Sequence, residues 1–471
     1  MNRIEEVLIK RFEQYRVIFW YDEKQEFEEL CQDLIIDGVE KFEVNNNEFE
    51  IKHIITKHKP ECKLLIYIPH QRPANDENWL LDLELAFHIF YTNQEAVYLD
   101  EIGLDYHYKE LIVNHLDFFK SKERRLKLKD LLGDGDGHDE IRAKMLAVVF
   151  NTENINLFTY IHAHASEFSR GESRIEKELD KFNLTDYYWE KISIQFNYKS
   201  ESPSIYDLLL EVFSTNFVLS ASSKIAKESR LLLSLWKDTL NYRESFGILS
   251  EKISKALNIE PALDKATIDD VIPDDLFKLS DKKIIFELVN LISSESISAE
   301  RVYFYTKQRE NKFWYPDSEN LYRAVEFGSE LISLIKKHSS ESFNSIQEGV
   351  TSYTNHLYQI DYSYRKFIYY FRLCNQNQIL SPLFEKVEKM YSNDWLLVFN
   401  DRWQKLIDTN TLWPFSENVS QRQFFKNHVL KYTEKSNRLF VIISDAFRYE
   451  CGTELLKRIQ SENRFDASLT H

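Results

Sequence analysis

Glycine and proline are both in short supply: 471 residues hold 10 glycines and 9 prolines, the former roughly 2% where about 7% is usual. So few breakers over so long a chain favour long helices with short connections. No GxxxxGK[ST] or GxGxxG run occurs, so ATP binding through such phosphate-cradling loops has no support. Cysteine is rarer still. Cys31, Cys62, Cys374 and Cys451 lie far apart with no CxxC spacing, which argues against a structural zinc site and for buried free thiols in a reducing cytosol. Long hydrophobic runs are missing too. No window reaches the roughly 18 consecutive apolar residues of a membrane span, and the first residues, Met1 to Glu6, contain no apolar signal core. These absences predict a soluble, cytoplasmic protein with no membrane contact.

Charge and aromatic side chains are what the chain has. Acidic residues number 76 against 60 basic ones, a net charge of −16, with 43% apolar and 14% aromatic residues. That composition folds rather than staying disordered, and the length implies two or three domains. The acidic balance argues against non-specific duplex DNA binding as the main role, while leaving room for a local basic face.

Residues 1–107 read as a small α/β domain. A β-rich run at 16–21 ends at Asp22, a helical pattern covers 26–36, a weaker strand falls at 41–44 and a strong one at 63–68, stopped by Pro69. A helix is expected over 79–91. Strands separated by helical segments predict a parallel sheet. Residues 108–435 predict a large, mostly α-helical domain. Ser202-Pro203 opens one helix, and others follow at 230–257, 320–337, 353–373 and 382–407. No fixed-period repeat is present. Hinges are expected at 133–137 and 409–418. Residues 436–471 read as the first strand (439–443) and helix (449–459) of a further α/β domain, incomplete as given.

Asp445 is the sharpest candidate. A carboxylate at the carboxyl end of a strand stands where open α/β sheets keep their active sites, and it can hold a cation while the first amides of the next helix hold an anion. Capping that helix is its plainer role. Arg448 is suited to contact an anionic substrate or to pair with a nearby carboxylate, and Glu450 is a first-turn acid favoured by the helix dipole. Asp22 has the same two readings as Asp445, helix cap or functional carboxylate. The segment 120–129 concentrates six basic residues, Lys120, Lys122, Arg124, Arg125, Lys127 and Lys129, against one acid. It reads as a contact for nucleic acid or an acidic partner, or as a solvated helix face. The acidic turn at 134–140 lacks the ligand spacing of a calcium loop. His162 and His164, two apart, cannot share a metal on a helix. The aromatic stretches 303–305 and 362–371 read as core packing before base stacking.

The run Phe440 to Glu450, with Ser444-Asp445-Ala446-Phe447-Arg448-Tyr449-Glu450 at its heart, resembles the signature of the PglZ family, usually written ISDALRYE; Phe447 stands where Leu is usual. PglZ proteins are components of BREX phage-resistance systems of bacteria and archaea. Supporting likeness lies in Phe19-Trp20-Tyr21-Asp22, Leu64-Leu65-Ile66-Tyr67, Trp79 to Glu84, and Ile360-Asp361-Tyr362-Ser363-Tyr364-Arg365-Lys366-Phe367. The resemblance implies a catalytic domain of the alkaline phosphatase superfamily, in which Asp445 would bind one of two metal ions, commonly zinc. Such a domain's nucleophile and further Asp and His ligands lie well beyond this Asp, past His471.

The expectation is therefore the amino-terminal scaffold portion of a PglZ-type antiviral defence protein, catalytically silent as given and with no catalytic residue assigned. It would hold other BREX proteins, such as a BrxB-type protein or the methyltransferase, by protein–protein interaction. Zinc or another divalent metal would belong to the intact parent and none to this chain. The alternatives are a metal-dependent phosphatase or nuclease, with that hydrolase activity in the longer parent, and a module binding DNA through 120–129.

Overall fold

Two apolar runs early in the chain become the central strands of a four-stranded parallel sheet in the order Val39–Glu43, Lys63–Ile68, Val17–Tyr21, His88–Tyr91. β1 (Val17–Tyr21) is wholly buried and pairs with β3 (Lys63–Ile68) on one side, Phe19 opposite Ile66, and with β4 (His88–Tyr91) on the other, Phe19 opposite Ile89. β2 (Val39–Glu43) forms the edge beside β3. The runs are continuously apolar because both faces are covered. Val17, Phe19, Leu64 and Ile66 meet Ile51, Ile55 and Leu80 on one face. Ile18, Trp20, Leu65 and Tyr67 meet Leu8, Phe12, Cys31 and Leu34 on the other, as the two-residue period of a strand requires.

The computed structural model describes residues 3–91, 94–221, 225, 227–374, 377–409, 421–433 and 438–470. It has two compact units, one made of residues 1–208 with 225–245, the other of 209–224 with 246–471. The sheet belongs to the first, and helices make up nearly all the remaining regular structure. Among the described residues no helix is long and apolar enough to cross a membrane.

Several expected elements shift. The helix expected over 79–91 covers only Leu81–Ala86; Phe87 turns extended (φ −129°, ψ −164°), and the next four residues form β4. Ile89, Phe90 and Tyr91 suit a pleated surface, and the free edge of β1 supplies the ladder that a helical reading ignores. The helix expected to open at Ser202-Pro203 begins at Ile205, with the Ser204 hydroxyl accepting from the Asp207 amide at 3.2 Å; Ser204, not Ser202, caps it. The run 230–257 divides at Thr239, extended at ψ 113°, into Glu228–Asp238 and Leu240–Ala256. The hinge expected at 133–137 is a turn pinned by Asp136, which accepts from the Gly133 amide at 2.7 Å and pairs with Lys144. Most of the hinge expected at 409–418 lies outside the described residues.

In the second unit the Tyr315–His338 helix packs along the Tyr358–Leu373 helix. Gly328 permits the approach: a Cβ there would lie 3.2 Å from the Phe367 ring and 3.1 Å from Leu383. The second helix continues a wide π turn, Tyr353–Leu357, and a similar turn, Met390–Leu397, joins Ser381–Lys389 to Val398–Thr409. Such turns are frequent where side chains are aimed for function.

Candidate functional site

The helix that carries the signature, Tyr449–Ser461, lies against Tyr358–Leu373 within the second unit. Glu450 and Glu454 stand four residues apart and so share one face, and that face meets the adjacent cations Arg365 and Lys366. Arg365 Nη2 donates to Glu454 Oε2 at 2.6 Å and Lys366 Nζ to Oε1 at 2.5 Å. Burial tends to raise the Glu454 pKa, but the bonds from Lys366 and Arg365 win and hold it down at about 2. Gly452 lets Leu469 fold back against the helix; a Cβ there would come within 3.2 Å of it.

Glu450 is fully buried. Arg365 Nε and Arg448 Nη1 each lie 3.9 Å from its Oε1, and Oε2 has no hydrogen-bond partner among the described residues. Burial raises this carboxyl above its ordinary range, and the nearby Asp361 adds to that against the opposing Arg448 and Arg365. Asp361 is held by two phenols, Tyr353 donating at 2.6 Å and Tyr391 at 2.9 Å. Both phenols come from the π turns, and burial followed by the Asp361 charge keeps both protonated well above the usual tyrosine range. Tyr449 closes the cluster, donating to the Thr354 carbonyl at 3.3 Å with its ring edge-on to Tyr358.

Asp445 lies outside this cluster, exposed on a turn whose next residue, Ala446, has φ +54°, a conformation uncommon for a residue with a Cβ. The strand expected over 439–443 is not formed: 438–444 have no ladder, and Phe440, Ile442 and Ile443 are 84%, 92% and 91% exposed. A strand needs a neighbour for its backbone groups, and among the described residues none pairs with this run. The helix expected over 449–459 does form. Arg448, 66% exposed at its side chain, reaches towards Glu450. A two-ion centre needs several ligands around each metal. Among the described residues the metal-competent group of three or more side chains does not include Asp445, so Asp445 with its present neighbours does not fit such a centre.

The other candidates fall as follows. Asp22 is buried and its oxygens are engaged: it accepts from the Phe27 amide at 2.7 Å, the Glu26 amide at 3.3 Å and the Tyr67 hydroxyl at 2.7 Å. These bonds pin the turn that leads into the Glu28–Asp33 helix, whose N-cap position is Phe27, so Asp22 braces the turn rather than capping the helix. It borders a cleft of about 730 Å3 at the carboxyl edge of the sheet, with His70, Arg72, Tyr91 and Lys109 across from it. The basic segment forms the Lys122–Leu131 helix. Arg125 is buried, bonded to Glu101 at 2.6 Å and to the Phe119 carbonyl. Arg124 holds the carbonyls of Phe118 and Asp117, each at 2.8 Å. Lys120 pairs with Asp117, Lys127 with Glu123, and Lys129 with the Glu101 carbonyl; Lys122 is exposed. His162 donates to the Leu232 carbonyl while His164 meets Tyr188 and Glu176, so the two rings part.

Residues 424–471 match the family model described as the BREX system PglZ alkaline phosphatase-like domain. The alkaline phosphatase-like protein BrxZ of Escherichia coli O9:H4 (strain HS) is 27% identical across 98% of this chain and 57% of its own length. The alkaline phosphatase-like protein PglZ of Bacillus cereus (strain H3081.97) is 26% identical across 95% of this chain and 54% of its own length. This chain is thus similar in sequence to the PglZ proteins. It spans a little over half the length of these curated relatives. No solved structure matches it. Two stretches that resemble PglZ proteins, 360–367 and 445–450, thus approach through Arg365 and Glu450, 3.9 Å apart, and Glu454, one turn beyond the second stretch, fastens the contact. Sequence reasoning missed that pairing; its one trace was the acid pair four apart on a predicted helix.

Proposed function

We propose that this chain is the scaffold portion of a PglZ-type BREX protein of phage defence, organising partners around a catalytic domain rather than catalysing a reaction itself. One observation carries the reading. The signature helix is locked to the helical unit by Glu454, Arg365 and Lys366, while the apolar run before it and Asp445 are left facing solvent. That arrangement suits a platform that holds the first elements of a further sheet in place. The partners would be other BREX proteins, a BrxB-type protein or the methyltransferase. Co-expression with each and affinity capture of this chain tests the proposal; capture of neither partner overturns it.

The descriptions of the relatives favour a companion reading for the longer protein: a phosphohydrolase of the alkaline phosphatase type. There Asp445 would contribute one ligand to zinc or another divalent ion, and the remaining ligands would come from the part of such proteins that this chain does not span. The ion would supply charge stabilisation to a phosphoester; Asp445 would hold it and Arg448 would face the anionic substrate. Turnover of a generic phosphodiester by this chain with zinc or manganese, abolished by Asp445→Asn, would overturn the catalytic silence proposed for it.

A further inference from the structure

Away from the signature, two imidazoles and a carboxylate converge in the second unit. His338 is the last residue of the Tyr315–His338 helix, Glu341 follows in the next turn, and His356 comes from the π turn Tyr353–Leu357. His338 Nδ1 lies 2.8 Å from Glu341 Oε2, and His356 Nε2 lies 3.0 Å from Oε1 and 3.2 Å from Oε2. One ligand atom from each of the three falls within 4.8 Å of the others. The two rings are 4.8 Å apart between centroids and tilted by 35°. We propose that His338, Glu341 and His356 form a binding site for a zinc-class divalent cation, separate from any centre at Asp445.

The donor set is right for that class of ion. Two imidazoles and one carboxylate are ligands of borderline metals, whereas calcium and magnesium want oxygens alone. The spacing also fits. Bonds of about 2.0–2.2 Å in a tetrahedron set ligand atoms roughly 3.3–3.5 Å apart, and the distances to the carboxylate fall short of that by about half an ångström or less. Without a metal the carboxylate accepts a hydrogen bond from each ring; with one, the carboxylate draws back slightly and the ring nitrogens, within 4.8 Å of each other, close around the ion.

The frame is formed in advance. The Glu341 amide donates to the His338 carbonyl at 3.1 Å, and Arg402 Nη1 donates to the Glu341 carbonyl at 2.5 Å. The side chains are 12%, 26% and 36% exposed for His338, Glu341 and His356, so an ion has a way in and a fourth position stays open to water. A bound ion would clip the end of one long helix to the start of another across residues 339–352.

The test is calorimetric titration of zinc into the chelator-stripped full chain, compared with His356→Gln and with the double variant His338→Gln/His356→Gln. One strong site per chain is expected, weakened at least about 100-fold by the single change and lost in the double. Cobalt substitution should give the intense visible bands of a tetrahedral site. In case the variants fail to fold, zinc should also shield His338 and His356 of the unaltered chain from diethyl pyrocarbonate, mapped by mass spectrometry. Absence of a strong site, zinc binding that survives in a folded double variant, or no shielding of these two rings overturns the proposal.

Discussion

The carboxylate of Glu454 sits 2.6 Å from the guanidinium of Arg365 across 89 residues of chain, and this contact fastens the signature helix to the rest of its unit. Glu454→Gln removes the charge that Arg365 and Lys366 share. Charge-assisted bonds of this kind contribute on the order of 2 kcal/mol, so the helix should loosen while the remaining core stays intact. Hydrogen exchange resolved by peptide should rise across 449–461 and stay unchanged in the sheet. The same contact is pH-dependent. The folded pKa, about 2, lies below the ordinary 4.5, so the stabilisation is complete above pH 4.5 and is lost as pH falls from there towards 2. Glu454→Gln should remove that dependence; equal acid loosening in the variant would show that another group is responsible.

Acid should also act on the first unit, at higher pH. His162 and His164 are buried, and burial holds each at about 4 against an ordinary 6.5. Glu176, 3.6 Å from His164 but half exposed, does not offset the burial. The unfolded chain takes up these protons near pH 6.5 and the fold resists until about 4. Their neutral packing therefore costs nothing above pH 6.5 and destabilises increasingly as pH falls through that interval, by roughly 3 kcal/mol per ring at most. His164→Phe, close in size and unable to titrate, should flatten the fall in melting temperature between pH 6.5 and 4; an unchanged slope would rule His164 out.

What could be read from the chain was what depends on neighbours in sequence. Continuous apolar runs at 17–21 and 63–68 identified buried parallel strands because both faces of each are covered, and scarce glycine anticipated the helices. β4 was hidden because Ile89, Phe90 and Tyr91 become a strand only when β1 stands beside them. The run 439–443 failed in the opposite sense: its composition is that of a strand, and no ladder among the described residues uses it. The His338, Glu341 and His356 group was illegible because His356 belongs to a separate helical segment, beyond residues 339–352, so no helical period relates it to His338 and Glu341.

The basic segment should separate into two classes when mutated. Arg125 is buried against Glu101 and stacks over Tyr98 with its guanidinium carbon 4.3 Å from the ring centre. Arg125→Glu sets a carboxylate beside Glu101 in a buried place and should cost about 3 kcal/mol or more. Lys122→Glu, on the exposed face, should stay within about 0.5 kcal/mol. Chemical denaturation checks both. A DNA-binding experiment on this segment thus has to use Lys122 and Lys127, since loss of binding in an Arg125 variant would report unfolding. Salt-sensitive DNA affinity that falls in Lys122→Glu/Lys127→Glu, with stability intact, would establish the nucleic-acid reading.

The exposed run before the signature makes the last prediction. Phe440, Ile442 and Ile443 present their side chains to water at 84%, 92% and 91% exposure, and their backbone groups have no ladder. Unpaired strand-forming segments with apolar side chains associate with one another. In this chain, therefore, Ile442→Lys/Ile443→Lys should lower concentration-dependent self-association, followed by sedimentation or light scattering. The melting temperature should stay put, because neither side chain is buried by the fold. If the run instead serves as a strand of a catalytic sheet, the same pair of changes in a longer PglZ protein should destabilise it, by roughly 1.5–3 kcal/mol for each large apolar side chain no longer buried. Opposite effects of one double substitution, neutral here and damaging there, would identify the run as a strand awaiting its sheet; a melting temperature lowered in this chain would show that it packs against the helical unit instead.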